Sequence, residues 1–335
     1  MHRLSTILAA AAATLAVAPA ASAASLGDWN LAEQRTVAAA GVLSPLSDGR
    51  LHGEQPLTGP QMSAALAALS ARAGAVPAAG STAVRVSVTR FDAQLVRQLG
   101  LADVAAHVLE QARRAGLRPP RTFGTEVVAR YLQLRDNHPA IDDALELYPW
   151  DSITRAEAAH SLATVLRFGG WEPADARARL SAFTLPSYSP AVRTALRLAV
   201  SKIGMPYVWG GETDGASSFY GYQAHGGYDC SGLVWRVFKL SGNPAGRAIG
   251  GRTAAQMAGE IAKPARIALA DVRPGDLLFF GPASFGSRAT ESSIVHVGIA
   301  LSDHWMIHAS SQGVYVSSLD DPWRREEFAW ARRVL

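Results

Sequence analysis

The sequence is poor in cysteine, in lysine and in long apolar segments. Its 335 residues include one cysteine, Cys230, so no disulfide can form within the chain. Lysine occurs only at Lys202, Lys239 and Lys263, and the net charge of +4 is carried by scattered arginines. Without a basic block or interleaved basic and aromatic residues, nucleic-acid binding has no support. No apolar run reaches the ~18 residues of a membrane-spanning helix, which argues against a membrane anchor.

Residues 1–23 have the features of a secretory signal. A short basic start at His2 and Arg3 precedes a mostly apolar run, and Ala-Ser-Ala at residues 21–23 supplies a small-residue cleavage site. We therefore expect a secreted protein whose mature chain begins at Ala24. An unpaired cysteine in an exported protein is a candidate reactive thiol.

Residues 24–170 are rich in alanine and leucine at helical spacing, which predicts an all-α domain. Helix pairs of the form helix, turn, and second helix recur at roughly 40–55 residues, and this spacing suggests a small repeat array. In the third pair Thr154 precedes Glu157 by three residues, the spacing of a capping box. The alternative is a helical domain in which this capping box has no further role.

One segment of this part resembles S-layer homology repeats. Residues 153–157 read Ile-Thr-Arg-Ala-Glu, the helix start of such repeats, and Asp-Gly at residues 48–49 matches their turn. The first pair has Leu-Thr-Gly-Pro-Gln at residues 57–61 instead, and the middle pair barely matches. The resemblance implies binding to an anionic secondary cell-wall polymer through the basic residue of the motif, here Arg155. The modest positive charge of the chain is compatible with that partner.

Residues 171–190 predict an interdomain linker, because their C-terminal half holds two prolines and no periodic apolar pattern. Residues 191–335 follow a different plan. One or two helices come first, and four or five short apolar strands follow. This order predicts an α+β domain with an antiparallel sheet.

A glycine-rich turn before Cys230 predicts that a helix begins at the cysteine. Asp229 is a preferred N-cap residue, and apolar residues from Leu233 to Leu240 recur at helical spacing. A thiol at a helix N-terminus experiences the positive end of the macrodipole, which predicts a lowered pKa. A lone cysteine is often only a small buried hydrophobe, but the flanking Asp229, Ser231 and glycines favour a functional site.

A cysteine nucleophile needs a base that takes and later returns its proton, and histidine suits that work. His296 lies in an apolar strand, and His308 lies twelve residues later in the expected partner strand. A two-residue turn would put the rings on opposite faces, whereas a three-residue loop at 302–304 puts them on one face. We predict the three-residue loop. Gly298 then leaves room for the ring of His308, which orients His296.

Two other interpretations of these residues stay open. A single histidine in an apolar strand is commonly a core residue. Cys230, His296 and His308 could also hold zinc, although the paired spacing typical of metal sites is absent, and we expect no metal or cofactor. Inactivation by a thiol alkylator but not by a chelator would distinguish a peptidase from a zinc site.

Six motifs, in order, make residues 191–335 resemble the NlpC/P60 family of papain-like cysteine peptidases. They lie at residues 206–211, 229–232, 252–256, 274–276, 296–299 and 306–309. The resemblance implies a papain-like fold, in which N-terminal helices pack on an antiparallel sheet. It also implies Cys230 as the nucleophile, His296 as the base and His308 as the orienting third residue.

The same resemblance implies Tyr207, Asp229 and Ser231 as substrate-binding residues beside the nucleophile. The implied substrates are the peptide stems of bacterial peptidoglycan, commonly cut between D-glutamate and diaminopimelate. We therefore predict a secreted, cell-wall-associated D,L-endopeptidase. The alternative is a non-catalytic wall-binding protein with an inactive peptidase-like domain. Two loops, residues 212–228 and 282–293, are longer than the family pattern and flank the expected site, so they are candidate cleft walls.

Overall fold

Helices make up the first part of the chain. The computed structural model describes residues 27–73, 80–218, 221–282 and 290–335, so the predicted signal at residues 1–23 lies outside it. The helices are α1 (Leu31–Ala39), α2 (Gly59–Ala73), α3 (Val88–Gln98), α4 (Ala102–Arg114), α5 (Phe123–Tyr131), α6 (Arg155–Arg167), α7 (Glu172–Ser181) and α8 (Pro190–Val200), with a 3-10 helix at Ala140–Leu145. In the described ranges no helix has both the length and the apolar character needed to cross a bilayer. We call residues 27–181 the helical region; its repeat organisation stays a prediction.

The linker expected at residues 171–190 is instead partly helical and packed. It contains α7, and the side chains of Leu180, Phe183 and Tyr188 are buried. The Phe183 ring centroid lies 5.0 Å from that of Trp305 in the following region. These apolar side chains are buried against the parts of the chain that precede and follow them, whereas a flexible linker would leave them in solvent. The periodicity of α7 was missed because few of its ten residues are apolar.

The start of α6 keeps only half of the expected capping box. The Thr154 hydroxyl accepts a hydrogen bond from the Glu157 N–H at 3.1 Å. The Glu157 carboxylate, however, accepts a hydrogen bond from Arg135 at 2.8 Å. The reciprocal side of the box is thus replaced by a buried ion pair between α6 and the end of α5.

Arg155, the residue implied to hold a cell-wall polymer, is used inside the fold. Its side chain is 1% exposed. The guanidinium donates from Nε to the Leu51 carbonyl at 2.6 Å and from Nη2 to the Ser44 carbonyl at 2.5 Å. Arg155 therefore fixes the loop between α1 and α2 and does not face an outside ligand.

Residues 190–335, which we call the sheet region, mix helices with antiparallel strands, as the α+β prediction requires. The strands are β1 (Glu212–Thr213), β2 (Ser217–Ser218), β3 (Gly221–Tyr222), β4 (Gly227–Tyr228), β5 (Leu277–Phe280), β6 (His296–Ala300), β7 (Trp305–Ser310), β8 (Gly313–Ser318) and β9 (Phe328–Arg332). The helices after α8 are α9 (Cys230–Trp235), α10 (Ala254–Gly259) and α11 (Pro322–Glu327). Strands β5 to β9 form one sheet in the order β8-β7-β6-β5-β9, while β1 pairs with β4 and β2 with β3.

The hairpin of β6 and β7 has the register predicted from its loop. Ile299 pairs with Ile307, which leaves residues 302–304 as a three-residue loop and sets Gly298 across from His308. A Cβ atom on Gly298 would lie 3.3 Å from the Cβ atom of His308. Glycine therefore provides the space that the histidine side chain needs.

The helical and sheet regions share a continuous apolar core and join through hydrogen bonds. Arg130 in α5 donates from Nε to the Gln312 carbonyl at 2.7 Å. The backbone N–H of Asn137 donates to the Ser311 carbonyl at 2.7 Å. Both carbonyls belong to the turn between β7 and β8, so the helical region supports the hairpin that carries His308.

Candidate active site

The start of α9 presents Cys230 as the sequence predicts. Asp229 is the N-cap, in an extended conformation, and its carboxylate accepts a hydrogen bond from the Gly232 N–H. The cysteine is 9% exposed. The α-helix continues for six residues and then changes to a π-helical turn at Arg236–Leu240. A short helix behind the sulfur carries only a small dipole.

Glycines around Cys230 let backbone segments approach each other closely. A Cβ atom on Gly232 would lie 1.8 Å from the Gly211 carbonyl oxygen, and one on Gly227 would lie 2.5 Å from the Pro206 carbonyl oxygen. No side chain fits at either position without moving backbone. The absence of a side chain at these glycines thereby allows the residues after Pro206 to pack directly against the start of α9.

The two predicted histidines lie side by side. His296 Nε2 is 2.8 Å from His308 Nδ1, and the rings meet edge to face. On its far side, His308 Nε2 is 2.9 Å from the hydroxyl oxygen of Ser317 in β8. Helix α9 packs on β6, and the Cys230 sulfur accepts the backbone N–H of Val297. The thiol therefore lies next to β6, the middle strand of the sheet, which carries His296 and pairs with the strand of His308.

One arrangement of ring hydrogens on His296 and His308 allows His296 to accept the proton of the Cys230 thiol. His296 can take the thiol proton at Nδ1 only if Nε2 carries its ring hydrogen, which it then donates to His308 Nδ1. His308 in turn carries its hydrogen on Nε2 and donates it to Ser317. The reverse order would leave the hydrogen on Nδ1 of His296 and remove the base. Ser317 was not predicted, since only the register of β8 against β7 brings it to His308.

Replacing Ser317 by alanine removes the acceptor that selects this tautomer of His308. We expect kcat to fall about fivefold to tenfold, the equivalent of one net hydrogen bond of about 1 kcal/mol, with KM unchanged. Steady-state kinetics on a soluble peptide substrate measures both constants. Ser317→Thr, which keeps the hydroxyl, is the matched control and should retain most of kcat. An unchanged kcat in Ser317→Ala would show that this hydrogen bond does not set the tautomer.

Burial favours the uncharged forms of the Cys230 thiol and of both imidazoles. Burial lowers the pKa of His296 to about 3, and the Arg324 guanidinium adds to this effect. Burial also lowers the pKa of His308 well below its usual value, with contributions from Arg324 and His296. Burial raises the pKa of the Cys230 thiol to about 11, and the charge of Asp229 adds to it. The predicted lowering of the thiol pKa is thus wrong, since burial outweighs the dipole of a short helix.

The reactivity of Cys230 should therefore rise with pH across the alkaline range. At neutral pH, a thiol pKa of about 11 in place of 9.0 means a thiolate fraction about 100-fold smaller. We expect the rate of alkylation by iodoacetamide, followed by mass spectrometry, to keep rising up to about pH 11. The urea-unfolded chain is the control and should level off above the usual cysteine pKa of about 8.5. A folded-state plateau already reached at pH 6 would instead indicate a thiolate–imidazolium pair.

The predicted substrate-binding residues surround the cysteine in different ways. Burial raises the pKa of Tyr207, and Cys230 and Asp229 add to the effect, so its hydroxyl stays protonated beside the thiol. Ser231 donates to the Asp229 carboxylate at 3.0 Å and accepts from Arg252 Nη1 at 2.8 Å. Tyr207 therefore offers a donor near the sulfur, while Asp229 and Ser231 are engaged in bonds that hold the helix start.

Arg252 connects the parts of this network. It donates from Nε to Glu212 at 2.9 Å, from Nη1 to Asp229 at 3.1 Å and from Nη2 to the Gly210 carbonyl at 3.0 Å. These bonds tie the segment after Tyr207 to the start of α9. Sequence reasoning placed Arg252 within a motif but gave it no role, because its partners lie far apart along the chain.

The helical region also reaches the site. Asn137 Nδ2 donates to the Tyr207 carbonyl at 3.1 Å, and the Trp209 N–H donates to the Asp143 carboxylate at 2.7 Å. Asp143 is also among the charges that raise the pKa of Tyr207, after burial and the charges near the thiol. No pattern in the sequence pointed to these contacts, which depend on how the two regions pack.

The two long loops are described only in part. Within residues 212–228, β1 pairs with β4 and β2 with β3, and Tyr222 in β3 is 78% exposed. Residues 219–220 and 283–289 lie outside the described residues. A role of these loops as cleft walls stays a prediction. Across the described ranges, no group of three or more His, Cys, Asp or Glu side chains is arranged to hold a metal ion.

A cysteine at a helix start, beside a histidine pair on an antiparallel sheet, defines a papain-like arrangement. Residues 204–333 match the NlpC/P60 family, and this part of the chain is an NlpC/P60 domain. The family resemblance drawn from the six motifs is thereby confirmed. The resemblance of the helical region to S-layer homology repeats stays a prediction.

Several bacterial proteins are similar to this domain. A probable endopeptidase of Mycobacterium tuberculosis is 34% identical over 136 residues, or 40% of this chain and 28% of that protein. The probable peptidoglycan endopeptidase LytE of Bacillus subtilis is 31% identical over 135 residues, or 40% of this chain and 32% of LytE. The murein DD-endopeptidase/LD-carboxypeptidase MepS of Escherichia coli is 34% identical over 110 residues, or 32% of this chain and 50% of MepS. The matches thus span half or less of each of these relatives.

A solved P60 domain from an antigen of Mycobacterium avium subspecies paratuberculosis is 28% identical to this chain. The alignment covers 43% of this chain and 94% of that domain, with a TM-score of 0.31.

Proposed function

We propose that this protein is a secreted, cell-wall-associated cysteine endopeptidase that cleaves the stem peptides of peptidoglycan. The observation that carries the proposal is Cys230 at the start of α9, next to the hydrogen-bonded pair of His296 and His308. The names of the relatives support the substrate class, since two of them are a peptidoglycan and a murein endopeptidase.

The proposed reaction follows from the protonation states of the site. As the Cys230 sulfur attacks the amide carbonyl carbon, its proton passes to Nδ1 of His296. Backbone N–H groups at the start of α9, including that of Cys230, stabilise the oxyanion. The C–N bond then breaks as His296 returns the proton to the leaving amine. Water, deprotonated by the same imidazole, hydrolyses the thioester and restores the thiol.

We further propose that the bond cut is the one between D-glutamate and diaminopimelate. Mass analysis of fragments released from purified peptidoglycan tests this directly. Cleavage there should leave D-glutamate at a new carboxyl end and diaminopimelate at a new amino end. Fragments cut elsewhere in the stem would overturn the bond assignment but keep the peptidase. Release that a chelator blocks and a thiol alkylator spares would overturn the cysteine mechanism.

For the helical region we propose attachment to an anionic secondary cell-wall polymer. Because Arg155 is buried, the candidate contacts are Arg35 and Arg50, which line a surface cavity of about 490 Å³ between α1 and the following loop together with the carboxylates of Asp28 and Glu54. Co-sedimentation with cell walls before and after removal of the polymer tests this attachment. Equal sedimentation with both preparations would overturn it.

A further inference from the structure

Two tryptophans stand exposed where the helical and sheet regions meet at the active site. Trp209 is 73% exposed and Trp150 is 64% exposed. Trp209 belongs to the sheet region and lies two residues after Tyr207. The charge of the Cys230 thiolate helps to raise the pKa of the Tyr207 hydroxyl, so the two groups are close. Its backbone is fixed by the hydrogen bond from its N–H to Asp143. Trp209 therefore presents an exposed ring from a backbone that is fixed next to Tyr207.

Trp150 is held by a stack of rings that crosses between the two regions. Its ring lies against Tyr148, with centroids 4.9 Å apart and planes 11° from parallel. Tyr148 packs in turn against His225, at 4.2 Å between centroids, and donates its hydroxyl to the Asp214 carbonyl at 3.1 Å. Stacking on Tyr148 covers only one face of Trp150, so most of the ring remains available to a ligand.

The stack also connects to the nucleophile. The Asp214 side chain accepts a hydrogen bond from the Tyr228 hydroxyl at 2.5 Å, and Tyr228 lies two residues before Cys230. Trp150 is thus linked through Tyr148 and Asp214 to the segment that leads into Cys230, and Trp209 lies in the segment that Arg252 ties to the start of α9. Leaving a large aromatic side chain in water forgoes roughly 1.5–3 kcal/mol of burial free energy. Two exposed tryptophans on segments that are tied to one candidate active site indicate a binding surface.

We propose that Trp150 and Trp209 form a subsite for the sugar rings of the peptidoglycan strand, an inference that rests on the proposed function. A flat, apolar, rigid ring face suits the C–H face of a pyranose. The negative face of an aromatic ring disfavours the carboxylates of the stem peptide. Its ammonium groups can bind such a face by cation–π contact, and the sugar-free peptide in the test below measures that contribution. The subsite would make the enzyme prefer stem peptides that are still attached to glycan.

The test compares two forms of the same stem peptide. One form is released by an amidase and carries no sugar, and the other is released by a muramidase and carries its disaccharide. Trp150→Ala and Trp209→Ala should each raise KM about tenfold for the disaccharide-peptide, a loss typical of a truncated aromatic contact. For the sugar-free peptide KM should change less than about twofold. Trp150→Phe, which keeps an aromatic face, should restore much of the affinity.

The matched control is Trp171→Ala. Trp171 is 65% exposed, nearly the same as Trp150, but it lies at the start of α7 against Gly169. It should leave both KM values unchanged. Thermal melting checks that all variants remain folded.

Three outcomes would overturn the subsite: unchanged KM for the disaccharide-peptide, equal losses on both substrates, or an equal loss in Trp171→Ala. If the wild-type chain cleaves neither substrate, the proposed peptidase function fails instead. Sedimentation with purified sacculi then still tests the subsite, because Trp150→Ala and Trp209→Ala should lower the bound fraction while Trp171→Ala should not.

Discussion

Replacing Cys230 by serine should abolish cleavage of peptidoglycan, with a fall in kcat of roughly 10⁴–10⁶. A serine hydroxyl holds its proton more tightly than a thiol and is a weaker nucleophile. The candidate base is His296, and its low pKa, about 3, makes it a weak proton acceptor. Stability should change little, because the serine hydroxyl can accept the Val297 N–H that the sulfur accepts.

Release of soluble fragments from purified sacculi is the measurement, with fragment masses confirming the identity of the products. His304→Ala is the matched control. His304 lies in the hairpin loop between the strands of His296 and His308, and its imidazole is 2.8 Å from Asp320 on the surface. This variant should digest sacculi at the wild-type rate. Undiminished digestion by Cys230→Ser would exclude the cysteine mechanism and favour the alternative of an inactive, wall-binding domain.

Replacing Gly232 by alanine should lower the free energy of unfolding by about 3 kcal/mol or more. The added Cβ would lie 1.8 Å from the Gly211 carbonyl oxygen and 2.8 Å from Arg252 Nη2. The Gly211 oxygen is a backbone atom, so α9 would have to move away from the segment that carries Tyr207. Activity should fall along with stability, because this movement displaces Cys230.

Thermal and urea unfolding measure the change in stability. Gly215→Ala is the control, since a Cβ there meets no atom within 4 Å and the backbone is not in the left-handed region. Its effect should stay within about 0.5 kcal/mol, as at ordinary surface positions. Equal midpoints for the two variants would mean that α9 and its neighbour separate freely, contrary to the packing described.

The parts of the site that could be predicted depend on local patterns. The start of α9 follows from an N-cap residue and apolar spacing around Cys230. The pairing of His296 with His308 follows from counting a hairpin loop, since one residue of slip would reverse the face. Both features use residues close together in the sequence, where period and turn geometry are sufficient.

What could not be predicted depends on packing between distant segments. Ser317, Arg252 and Asp143 take their places only once strands, loops and the helical region have come together. The direction of the thiol pKa shift was wrong because burial is a property of the whole fold. Arg155 shows the same limit: its motif was visible, but the carbonyls that bind its guanidinium lie about a hundred residues earlier.

The hydrogen bonds from Arg130 and Asn137 to the turn between β7 and β8 bear on how this protein can be divided. A fragment that starts after the predicted linker would lose the support of that turn and of the Tyr207 carbonyl, and it would expose the apolar surface under Phe183. Exchanging the helical region for an unrelated domain would therefore also change the surroundings of Tyr207 and of the hairpin that carries His308. The helical and sheet regions therefore form one packed unit and cannot be exchanged independently.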